Sequence, residues 1–190
     1  MRRIAELESV PRGRYTGALV VAVAAQLSVE QLRCPMGIHR VRLSLSHAGT
    51  IRLVSAPLPS ANVGGGWRVI FSDESLDPDD FLLRHKTSAR GRYERVLAAL
   101  AERPQVFDAI FLNTRGEVCE GARSNIFVER DGLLLTPPLR CGLLPGVMRQ
   151  HLLDTGRAVE WVLTPADVRD APALYMANAL RGLLAVKLER

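Results

Sequence analysis

Gly116-Glu117-Val118-Cys119-Glu120-Gly121-Ala122-Arg123-Ser124-Asn125-Ile126-Phe127 puts an acid, Glu120, at the end of one strand-like run. Four small or turn-prone residues then return the chain into a second, apolar run. On either side the pattern is the same. Ala109–Asn113 reads as a strand before a turn at Arg115-Gly116, and Ser124–Glu129 and Leu133–Thr136 flank a turn at Asp131-Gly132. Short apolar runs separated by Gly, Asn and Asp punctuation are the signature of a strand-rich fold.

Outward from this block the elements become mixed. Gly142–Arg149 opens a helix expected to run to about Thr155. A strand at Val159–Leu163, a short acidic helix at Ala166–Arg169 and a strand at Leu174–Ala177 are read as closing the chain. Upstream, Tyr93, Val96, Leu97 and Leu100 carry helical spacing from Thr87 onward. Asp73–Asp80 reads as an acidic loop after a strand at Trp67–Phe71, and Pro57–Gly66, with three consecutive glycines, as a linker. His39–Leu45 and Thr50–Val54 alternate with period two about a turn at His47-Ala48-Gly49, which predicts a hairpin. Ser28–Leu32 has the N-cap and acid of a short helix. The fold class is α+β, without internal repeats.

With 190 residues and 47% hydrophobic content, the chain can bury a core as one domain or one and a half. The net charge of +5 comes from arginines spread along the whole length, and aromatics make up only 5%. That is the pattern of a basic protein that tolerates anionic ligands, not of a nucleic-acid binder. Cys34, Cys119 and Cys141 lack metal-ligand spacing and read as reduced thiols of a cytoplasmic protein, with no metal expected. The apolar run Ala18–Ala25 falls short of the ~20 residues of a membrane span. Glu6, Glu8 and Pro11 spoil an export signal, so the run reads as a buried strand or helix.

Only Lys86 and Lys187 among the 25 basic residues are lysines. Arg stays protonated, whereas a desolvated Lys can lose its proton and attack a carbonyl. Lys187 reads as a solvated charge near the chain end; Lys86 lies mid-chain in Arg84-His85-Lys86-Thr87-Ser88. Three later elements gain meaning beside it. Glu120 alone could be a solvated turn acid. Leu144-Pro145-Gly146-Val147-Met148-Arg149 alone could be a helix cap, although a helix start beside glycine also makes an anion site. Asn178-Ala179-Leu180-Arg181-Gly182 alone is an ordinary strand end. Together they match the needs of an aldehyde cofactor bearing a phosphate and a basic pyridine: an amine, a carboxylate and a helix N-terminus.

These phrases resemble the class IV aminotransferases, the fold-type IV pyridoxal phosphate enzymes, and among them are most similar to the aminodeoxychorismate lyases. The resemblance covers about residues 78–184. It rests on Arg84–Ser88, Phe111–Phe127, Cys141–Arg149 and Asn178–Gly182, with Cys119 where threonine is usual. It implies pyridoxal 5'-phosphate as cofactor, carried by Lys86 as the catalytic residue. It implies Glu120 on the pyridine nitrogen, phosphate at Gly146, Val147 and Met148, and further cofactor contacts from Asn125, Asn178 and Ala179. Arg181 is expected to take a substrate carboxylate. The implied reaction converts 4-amino-4-deoxychorismate to 4-aminobenzoate and pyruvate. Amino-acid transamination of the branched-chain or D-amino acid type, or a silent truncated homologue, are the alternatives. A homodimer acting on a small amine, without nucleic acid or membrane, is expected.

The front departs from the resemblance. Residues 1–60 read as a shortened small domain before a cofactor-binding large domain, 61–190. Ile4–Glu8 and Pro11–Ala18 resemble a phrase of chorismate-using synthases.

Overall fold

Alternation from His39 onward produces an antiparallel pair, β1 (His39–Leu45) and β2 (Ile51–Pro57), in register from His39 opposite Pro57 to Leu45 opposite Ile51. Gly49 turns the chain at φ 81°, a conformation glycine adopts without strain. The computed structural model describes residues 38–46, 48–58 and 66–189. The run Ala18–Ala25, the helix expected at Ser28–Leu32, the synthase-like phrase and most of the Pro57–Gly66 linker lie outside the described residues. Contacts divide the chain into two units that meet between Val63 and Gly64, and the hairpin belongs to the first.

The second unit is built on a sheet of β3 (Arg68–Leu76), β4 (Val106–Asn113), β5 (Val118–Gly121), β6 (Asn125–Arg130), β7 (Leu133–Thr136), β8 (Ala158–Glu160), β9 (Leu174–Asn178) and β10 (Gly182–Leu188). Their spatial order is β5-β4-β3-β10-β9-β6-β7-β8. Helices α1 (Gly91–Ala99), α2 (Val147–Asp154) and α3 (Pro165–Arg169) pack around it. One core gathers Val69, Ile110, Ile126, Leu163 and Met176, all fully buried. The other face of β4 is covered by the helical stripe anticipated in the sequence: Tyr93 packs with Phe111, and Val96, Leu97 and Leu100 with Val106 and Ala109. Every β4 residue except Leu112 is therefore buried, as expected of a strand covered on both faces.

Connectivity sets the position of the acidic bend. β5 is the first strand of the sheet order and β6, which follows it in the chain, is the sixth. Residues 121–124 bridge the two, with the Gly121 N–H donating to the Ser124 carbonyl at 2.7 Å, so the sheet curls back on itself at this point. Glu120 is the buried penultimate residue of β5, directly before the bend.

Several expected boundaries move. Asp73–Asp80 is not all loop: β3 continues to Leu76 through a register shift between Phe71 and Ser75. Burial of Leu76 and pairing of Glu74 with Arg92 and Arg95 of α1 hold the extension. The helix read from Thr87 begins at Gly91, after a 3-10 turn at Phe81–Arg84 capped by Asp80. The helix read from Gly142 begins at Val147, because Gly142 takes φ 87° and Pro145 precedes the cap. β8 stops at Glu160, short of Leu163. The largest correction is β10, since the strand expected to close the chain is β9. β10 lies mid-sheet between β3 and β9, and Lys187 is a strand residue in it whose backbone N–H donates to the Trp67 carbonyl.

Candidate active site

Glu120 is 6% exposed, and each of its oxygens receives one donor. The Tyr93 hydroxyl donates to Oε1 at 2.7 Å and the Leu144 N–H to Oε2 at 3.0 Å. Burial pushes the Glu120 carboxyl up to about 7 in spite of those two donors and the nearby Arg90 charge. Burial first, and then Glu120 itself, drive the Tyr93 phenol far above its ordinary range, so it remains a donor. The Arg90 guanidinium lies 4.6 Å from the Tyr93 ring centroid and donates to the Ala122 carbonyl. A cavity of about 150 Å³ is walled by His85, Thr87, Arg90, Tyr93, Glu120 and Leu144, among others. Lys86 is exposed, and the residues on either side of it form part of that wall.

Asn125 and Glu120 clip the same loop. The Asn125 side-chain amide donates to the Leu144 carbonyl at 2.9 Å while Glu120 accepts from the Leu144 N–H. A Cβ at Gly146 would overlap Asn125 Oδ1, so this close approach requires glycine. The Gly146 N–H is taken by the Leu144 carbonyl at 2.8 Å. α2 then starts with no side-chain cap, and the N–H groups of Val147 and Met148 have no intrahelical acceptor. Arg149, 1% exposed, ties the helix start to the Pro137 carbonyl and Glu160, with its Nε unpaired.

The bend after Glu120 rests on Asp108, a carboxylate with no exposure in the middle of apolar β4. It accepts from the N–H groups of Ala109, Ala122 and Arg123 and from the Ser124 hydroxyl. Burial pushes it up to about 6 even so. From the other side the Asn178 amide donates to the Arg123 carbonyl at 3.3 Å, and its Oδ1 accepts from the N–H groups of Leu180 and Arg181. Ala179 is exposed and Arg181 half-buried in this turn. A Cβ at Gly121 would overlap Asp108 Oδ2 and approach the Met176 methyl within 2.6 Å. The methyl can swing, but the carboxylate can move only by losing donors. Gly121→Ala is therefore expected to cost about 1–3 kcal/mol, a fall in Tm of about 2–4 °C per kcal/mol, read by thermal melting.

The structure thus joins Glu120, Asn125 and Gly146 through Leu144, and joins Asn178 to the same bend. It sets the neighbours of Lys86 at the cavity with Glu120, while Lys86 itself, Asn125, Gly146, Val147, Met148, Asn178, Ala179 and Arg181 are not in the cavity wall. Tyr93, Arg90, Asp108 and Leu144 are site residues that the sequence patterns do not single out. Two signals point to them: a buried Tyr hydroxyl needs a partner, and an acid inside an apolar strand must gather donors. Among the described residues, no helix is long and apolar enough to cross a membrane.

Comparison with known proteins bears on the whole arrangement. The family model for amino-transferase class IV matches residues 20–188. A Thermotoga maritima protein assigned as a branched-chain-amino-acid aminotransferase is 28% identical over 148 residues, 74% of this chain and 52% of that protein. The aminodeoxychorismate lyase of Vibrio harveyi is 34% identical over 101 residues, 50% of this chain and 37% of that protein. The chain thus spans about half, or less, of the length of these relatives. A Mesorhizobium loti structure assigned as an amino-acid aminotransferase superposes with a TM-score of 0.79 at 35% identity, covering 90% of this chain and 89% of that one. With sequence phrases, curled sheet and family match in agreement, the chain belongs to the class IV aminotransferases.

Proposed function

We propose that this chain holds pyridoxal 5'-phosphate, with Lys86 as the attachment amine, and works as a cytoplasmic homodimer that converts 4-amino-4-deoxychorismate to 4-aminobenzoate and pyruvate. Class IV aminotransferases are pyridoxal phosphate enzymes. The observation that carries the reading is Glu120, a buried carboxylate at a cavity whose wall includes both neighbours of Lys86.

The residues present fit such a cofactor. Glu120 has one donor on each oxygen and keeps acceptor capacity for a protonated ring nitrogen. The start of α2 offers the Val147 and Met148 N–H groups to a phosphate, and Gly146 lets Asn125 pack against that start. When bound, the cofactor supplies an electron sink through its pyridine ring. Glu120 holds the proton at the ring nitrogen. Lys86 would hold the cofactor through its aldehyde, and its amine would move the proton at the substrate carbon that bears the amine. Asn178, with Ala179 beside it, steadies the bend that follows Glu120, and Arg181 offers a bidentate fork to a substrate carboxylate. The 150 Å³ cavity is smaller than the ~300–1,000 Å³ of small-molecule sites, so further walls are required, and a second copy of the chain is the proposed source.

The lyase reading is supported by the Phe111–Phe127 phrase and the Vibrio harveyi likeness. The fuller likeness to the Mesorhizobium loti aminotransferase favours amino transfer as the second reading. Purified protein loaded with pyridoxal phosphate tests them. Pyruvate and 4-aminobenzoate released in equal amounts from 4-amino-4-deoxychorismate support the lyase. Amino transfer to 2-oxoglutarate without pyruvate release replaces it with the transaminase.

A further inference from the structure

We propose that Tyr93 is a positioning residue that acts through Glu120, fixing which carboxylate lone pairs face the cavity and keeping the group ionised for a cationic partner. The inference rests on reading Glu120 as the partner of a pyridine nitrogen. Tyr93 cannot easily point elsewhere. Its ring meets Phe111 edge-on, with centroids 5.1 Å apart at 68°, and the Arg90 guanidinium covers it at 4.6 Å. The hydroxyl that emerges from this clamp donates to Glu120 Oε1.

The surroundings of Glu120 give that one hydrogen bond a large share of the control. The Leu144 N–H takes Oε2, and Arg90 adds positive charge from the loop before α1. Asp108 on β4 opposes ionisation. Cys119 on the same strand is buried with its thiol pushed well above the ordinary range, so it stays neutral. Burial is the largest influence and favours the protonated carboxyl. Tyr93, itself held as the neutral phenol, opposes burial from the α1 side.

Tyr93→Phe keeps the ring between Phe111 and Arg90 and removes only the hydroxyl. In apo-protein carrying carbon-13 in its glutamate carboxyls, Glu120 in the variant is expected to bind its proton roughly ten- to a hundredfold more tightly, the range for a hydrogen bond to a charged group. In titrations with pyridoxal phosphate, affinity is expected to fall about tenfold. The variant carrying both Glu120→Gln and Tyr93→Phe is expected to match Glu120→Gln alone, because Tyr93 acts on the cofactor through Glu120. Proton affinity at Glu120 unchanged within twofold, or losses that add in the double variant, overturn the proposal. If wild-type protein binds no pyridoxal phosphate, the functional reading falls, and the apo-protein titration still decides whether Tyr93 controls Glu120.

Discussion

Glu120→Gln is expected to lower turnover by roughly 10²–10⁴-fold, the contribution of a positioned proton-holding group, while the apo-protein becomes more stable at pH 8. The two effects have opposite signs for a physical reason. In the folded chain the Glu120 carboxyl is raised from 4.5 to about 7, so between those values the native state binds more protons than the unfolded state. Stability from this group is therefore fully present below pH 4.5 and declines as pH rises through 7. Above that range the buried charge costs on the order of 3 kcal/mol. Glutamine removes the charge and can still satisfy the site. Its oxygen accepts from the Leu144 N–H, and its amide donates to the Tyr93 oxygen once that hydroxyl turns. Melting curves of apo-protein at pH 5 and pH 8 are expected to lie closer together in the variant than in the wild type. A variant less stable at pH 8, or one with unaffected turnover, would reduce Glu120 to an ordinary turn acid.

Lys86→Ala is expected to abolish turnover by several orders of magnitude and to remove the visible absorbance that borohydride locks into the protein. Lys86 is exposed and carries no structural burden in the core, so the same change is expected to alter stability by no more than about 0.5 kcal/mol. Loss of chemistry without loss of fold distinguishes an attachment amine from a packing residue. Lys187 provides the internal control, because its side chain is exposed on β10 while its backbone pairs in the sheet, with its N–H donating to the Trp67 carbonyl. Mass spectrometry of the reduced, digested protein locates the adduct. An adduct on Lys187, or visible absorbance retained by Lys86→Ala after reduction and denaturation, refutes the assignment.

Local chemistry makes much of the site legible in the residues themselves. The Asp131-Gly132 turn reads directly, since both residues adopt positive φ, 53° and 78°, as a tight hairpin between twisted strands requires. The short helix expected at Ala166–Arg169 is found at Pro165–Arg169, where Thr164 and Asp167 make both halves of a reciprocal cap. Glu120 taken alone reads as a turn acid, and it becomes identifiable only beside the Lys86, Gly146 and Asn178 phrases. Period-two alternation marks β1 and β2, whose partners are close in sequence.

The amino-acid sequence by itself determined the family phrases and where Lys86, Glu120 and Gly146 stand within them, because each phrase depends on a few neighbouring residues. Tertiary structure alone decided what those residues face. Periodicity reports which side of a segment is apolar, but says nothing about a partner strand a hundred residues away. Thus β10 escapes a reading by pattern although it joins β3 to β9, and β3 is cut short where burial of Leu76 and the Glu74 pairs extend it. The same limit hides the link from Tyr93 to Glu120 across 27 positions and from Glu120 to Leu144 across 24. A hydroxyl and a carboxylate identify themselves as donor and acceptor in the sequence, but only the curl of the sheet brings them within hydrogen-bonding distance.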